Sequence, residues 1–90
     1  MLYSGGSPPS GNLFGSIPSL TFAANVRDAN LFVDGKFIGP VGVLKGGIAI
    51  EPGKHRLELR HEDYFSSYLE LQLARAERRT IALDMAVILP

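Results

Sequence analysis

Ninety residues, 46% of them hydrophobic and 20% charged, are enough for one packed domain with one core and too few for a second. Nine Lys plus Arg balance nine Asp plus Glu, so the formal charge is zero, which argues against nucleic acid as a partner held by counterion release. Without a single cysteine, the chain has no disulfide, no thiolate nucleophile and no cysteine-based zinc site.

The first eighteen residues are rich in Gly, Ser and Pro and nearly uncharged, the composition of an extended arm rather than a core. Its opening, MLYSGGSPPSG, has neither the basic nor the apolar segment of a secretory signal, which fits a cytoplasmic chain if it is full length, or a mature or excised piece otherwise. Leu2, Tyr3, Leu13, Phe14 and Ile17 are apolar but too scattered to make a face of their own, so they are expected to lie against another chain.

From Ser19 to Pro90 the pattern is that of strands. SLTFAANV reads as the first, with Phe22 and Val26 toward the core. ANLFVDG places Ala29, Leu31 and Val33 on one parity and ends at Asp34-Gly35, where glycine supplies the positive φ of a tight turn. A short return, KFIG, closes at Gly39, and PVGVLKGG is a loop. GIAIE is the next strand, ended by the Pro52-Gly53 turn. In KHRLELRHE the residues His55, Leu57, Leu59 and His61 share one face, and Arg56, Glu58, Arg60 and Glu62 the other. DYFSS is read as a break, after which YLELQLA turns Leu69, Leu71 and Leu73 inward. RAERR is a polar turn. TIALDMAVIL is expected to be one long last strand with Ile81, Leu83, Met85, Val87 and Leu89 on one parity. Its nine-residue apolar run contains Asp84 and falls far short of the roughly 20 residues of a membrane-spanning helix. Together these elements predict a small antiparallel β-sandwich of about six to seven strands carrying an N-terminal arm.

The succession DANLFVDGKFIG, IEPGKHRLELRHEDY, a strand, a polar turn and a last apolar strand resembles the PEGA domain family over roughly Thr21 to Leu89. Asp34, Gly35, Gly39, Pro52, Gly53, Leu57, Leu59 and Tyr64 fall where that pattern has its turns, alternating strand and aromatic. VRDA stands in place of the Pro-Glu-Gly-Ala that names the family, and Asp63 in place of the usual glycine before the aromatic. The resemblance implies a small non-catalytic accessory module of the kind found in surface or envelope proteins of bacteria and archaea, and hence an envelope location if this chain is an excised piece.

The residues themselves point the same way on chemistry. His55 and His61 lie six residues apart, about 20 Å along a strand, too far to chelate one ion. In HEDY, neighbours on a strand point to opposite faces and make no acid–base pair. Lys45 is followed by Gly-Gly-Ile, so GPVGVLKGG is a surface loop rather than a phosphate loop. An enzyme would require a pocket in which His55 or His61 meets a carboxylate, and strand spacing does not predict one. No metal or cofactor is expected. Arg75, Arg78 and Arg79 read first as solvation of a turn and second as a dock for an acidic partner. Phe32, Phe37, Tyr64, Phe65 and Tyr68 read first as caps on the ends of the sandwich; second, Phe32, Phe37 and Tyr68 form a patch if they emerge together, for another protein subunit or, as second choice, for a glycan or cell-wall polymer.

Overall fold

The computed structural model describes residues 17–89, and within them the chain is an all-β sandwich of seven strands. One sheet has the order β4-β1-β7, built from β1 (Ser19–Ala24), β4 (Ile48–Ala49) and β7 (Arg78–Leu83). The other has the order β3-β2-β5-β6, from β2 (Asn30–Val33), β3 (Lys36–Pro40), β5 (Gly53–His61) and β6 (Tyr64–Leu73). Among the described residues no helix is long and apolar enough to cross a membrane.

The alternation read from the sequence is what closes the sandwich. Leu57 and Leu59 on β5, Leu31 and Val33 on β2, and Leu71 and Leu73 on β6 are buried together, and Leu20, Ile81 and Leu83 meet them from the opposite sheet. A fully buried leucine is worth about 1.5–3 kcal/mol over an exposed one, so this layer is the main source of stability in so small a chain. Asp34 (φ 52°) and Gly35 (φ 84°) are both left-handed, the geometry of a two-residue type I′ hairpin turn joining β2 to β3. Gly39 lies inside β3, opposite Leu31, rather than in a turn. Ile38 beside it is the extra residue of a bulge, since Leu31 pairs with Gly39 and Phe32 with Phe37.

Several expectations are corrected. The sandwich is not wholly antiparallel: β1 and β7 pair in parallel, Phe22 beside Ile81 and Ala24 beside Leu83. Parallel neighbours need a long crossover, and here the connection holds the whole four-stranded sheet together with β4. The last strand ends at Leu83, because β1 ends at Ala24 and the Asn25 side chain then takes over the pairing. Its amide donates to the Met85 carbonyl (3.0 Å) and its Oδ1 accepts from the Met85 N–H (2.9 Å). Met85 is buried, but the chain then crosses to the start of β6, where Val87 bridges Tyr64, and Val87 and Leu89 are exposed rather than in the core. DYFSS is not a break: β5 and β6 are joined by Glu62-Asp63 alone, and strand resumes at Tyr64. That turn lacks glycine; it is held by the Asp63 N–H donating to His61 Nδ1 at 3.1 Å. The strand expected in GIAIE shrinks to Ile48–Ala49, with one further bond from the Ile50 N–H to the Pro18 carbonyl (3.1 Å).

Candidate functional site

On the outward face of the four-stranded sheet the register sets Phe37, Phe32, Glu58 and Tyr68 in one row across β3, β2, β5 and β6. Neighbouring strands are about 4.8 Å apart, so the row spans roughly 14 Å. Phe32 and Phe37 meet at 5.7 Å between centroids with their planes tilted by 60°. The Arg60 guanidinium lies 4.1 Å over the Phe32 ring, and that of Arg56 4.6 Å over Tyr68. Arg60 also grips Glu58 with two hydrogen bonds, Nε at 2.6 Å and Nη2 at 3.1 Å. This guanidinium, first, and the Tyr68 hydroxyl hold the Glu58 carboxyl below its ordinary value. Among the described residues Arg56 has no carboxylate partner. Phe37 is 59% and Tyr68 53% exposed, large aromatic surface for a monomer to leave in water.

Phe32, Phe37 and Tyr68, for which a patch was the second expectation, thus share one row. Leu2, Tyr3, Leu13 and Phe14 lie outside the described residues, and Ile17, 38% exposed, stands next to the buried Pro18 where the chain enters β1. Tyr64 packs against the core and edge-on to His61 at 5.1 Å, and Phe65 is exposed away from the row. In the basic triplet, Arg79 is tied to Glu77 through Nε at 2.9 Å and to the Gln72 carbonyl at 3.1 Å, so it is committed to its own turn. Glu77 also accepts the Ala74 N–H at 2.8 Å, and this bond, with Arg79 second, lowers its carboxyl from the ordinary value.

Both histidines meet carboxylates, which strand spacing did not anticipate. His55 Nδ1 lies 2.6 Å from Asp34 Oδ2 and its Nε2 2.7 Å from the Glu51 carbonyl. His61 Nε2 lies 3.0 Å from Asp28 Oδ2 while its Nδ1 accepts from the Asp63 N–H. The reason is topological: the β2–β3 turn and the loop before β2 flank the two ends of β5, bringing residues 21 and 33 positions away to the rings. His61 donates through Nε2 and accepts through Nδ1, so it has no lone pair free for a substrate proton in this arrangement, whereas the His55 ring faces two acceptors. Asp34 Oδ1 additionally accepts the Arg56 N–H at 2.9 Å; that bond, then His55, lowers the Asp34 carboxyl, and Asp34 in turn raises His55. Among the described residues no three His, Asp or Glu side chains gather as a metal site would require.

No protein-family model matches the chain, and no curated protein is significantly similar to it.

Proposed function

We propose that this chain is a non-catalytic interaction module, a small accessory subunit that docks into a larger protein assembly through the outward face of its four-stranded sheet. The observation that carries the reading is the row Phe37–Phe32–Glu58–Tyr68 with arginines stacked on its rings. Exposed aromatics and arginine set on a rigid sheet are the side chains that dominate binding energy at protein interfaces, because they bury much area at small entropic cost. The His61 ring, satisfied on one nitrogen by an acceptor and on the other by a backbone N–H, supports a structural role over an acid–base one. The PEGA-like pattern of turns supports an accessory module, and with it a place in an envelope or surface assembly. A polysaccharide ligand is the weaker reading, since sugar stacking needs a clear ring face and guanidinium groups lie over Phe32 and Tyr68.

The double variant Phe37→Ser/Tyr68→Ser tests the reading, because both side chains stand largely in solvent and their loss costs the fold little, about 0.5–1.5 kcal/mol for the Phe32 contact. The wild-type chain in a native extract is expected to migrate in a complex, and the folded double variant as a monomer. Retention of the complex by the double variant, or a polysaccharide pull-down that depends on these two rings, would displace the proposal.

A further inference from the structure

A cleft of about 380 Å³ opens between the two sheets where their edge strands β3 and β4 face each other. Val33 and Ile38 line one side, Ile48 and Ile50 the other, and His55 closes it, with Asp34 and Glu51 at its rim. The β4 side is lightly held, by two residue pairs to β1 and the single bond from Ile50 to Pro18. The imidazole of His55, its side chain only 13% exposed, spans the cleft's end and bonds the β2–β3 turn on one nitrogen and the loop following β4 on the other.

Both partners of that ring are acceptors: a carboxylate oxygen and a backbone carbonyl. Only the imidazolium can donate to both at once. We propose that His55 is a protonation-controlled latch, which as imidazolium ties the Glu51 loop to the Asp34 turn across the cleft and on losing its proton releases the Glu51 loop. The loop is the side released because the single remaining N–H stays on Nδ1 with the charged Asp34, the stronger bond, leaving the Nε2 lone pair against the Glu51 carbonyl. The charged groups facing the ring are Asp34 from the turn and the Glu51 side chain from the loop, with Lys36 at the start of β3 acting on Asp34.

The sign follows from the directions. His55 is raised above its ordinary value of 6.5, chiefly by Asp34, so the latch is fully closed below that value and is lost as pH rises through the folded-state value. Asp34 is lowered from 3.8, chiefly by the Arg56 N–H, so its side of the latch is lost only as pH falls through that lower value.

Nuclear magnetic resonance of the full chain between about pH 5 and about pH 9 reads the latch directly. Below the midpoint both His55 nitrogens should carry protons; above it Nδ1 alone should. The Glu51 carbonyl and Gly53 amide signals should shift with the same midpoint, displaced upward from the ordinary histidine value. His55→Gln should abolish those loop shifts, and His61→Gln should leave them intact. Asp34→Asn, which keeps an acceptor for the Arg56 N–H and tolerates the left-handed turn, should lower the His55 midpoint, and it decides the matter if His55→Gln does not fold. Loop signals that titrate independently of His55, or a His55 midpoint unmoved by Asp34→Asn, would overturn the latch.

Discussion

Leu59→Ala is expected to remove about 2–5 kcal/mol of stability, and Leu57→Ala a similar amount. Both side chains have no exposed surface. Leu59 stands beside Leu31 on β2 and Ser67 on β6, and Leu57 beside Val33 and Leu69, so each sits in the middle of the sheet's inner face. Such a site cannot collapse around a cavity from one side. A domain of this size has about 5–9 kcal/mol in total, so either change brings it close to unfolding at moderate temperature. Glu58→Ala, between the two on the opposite face, removes a surface ion pair with Arg60 and should cost only about 0.2–1 kcal/mol. Urea denaturation with unchanged slope measures all three, and equal losses at Leu57 and Glu58 would show the parity of β5 to be wrong.

Gly47→Ala is expected to cost about 2–4 kcal/mol, from two causes acting together. Gly47 has φ 84°, and a β-carbon there would stand 2.5 Å from the Leu20 carbonyl oxygen, a backbone atom that cannot step aside. The approach exists because this loop must bring β4 onto the start of β1, where Leu20 pairs with Ile48. Gly35 has the same φ but open space around it, so Gly35→Ala should cost only the conformational part, about 1–2 kcal/mol. Thermal or urea unfolding in which the two variants lose equal stability would remove the close approach as an energetic factor.

What could be read from the sequence was whatever a single strand or a single turn encodes. The alternation around Leu57 and Leu59, the inward leucines of β6 and the left-handed Asp34-Gly35 turn are local facts, and the structure has them where the pattern put them. Pairing between distant strands was not legible. Nothing in SLTFAA or RRTIAL states that they lie side by side in parallel, because that neighbourhood is made by the chain between them. The apolar tail after Leu83 looked like more strand since Val87, Ile88 and Leu89 suit one; it is the reach of Asn25 to Met85 that ends the ladder. The histidine–carboxylate pairs are not legible for the same reason: spacing along β5 does not encode the turns that fold over its ends. Nothing local joins Phe32, Phe37 and Tyr68; the strand register is what makes three separate aromatics into a row.

If the aromatic row faces another protein, Phe37 and Tyr68 are shielded in the assembly and open in the isolated chain. Hydroxyl-radical labelling of Phe37 and Tyr68, read by mass spectrometry in the native extract and in the isolated folded chain, tests it most directly. Both rings, more than half exposed in the isolated chain, should be labelled far less in the extract. Equal labelling of the two rings in both samples would contradict it.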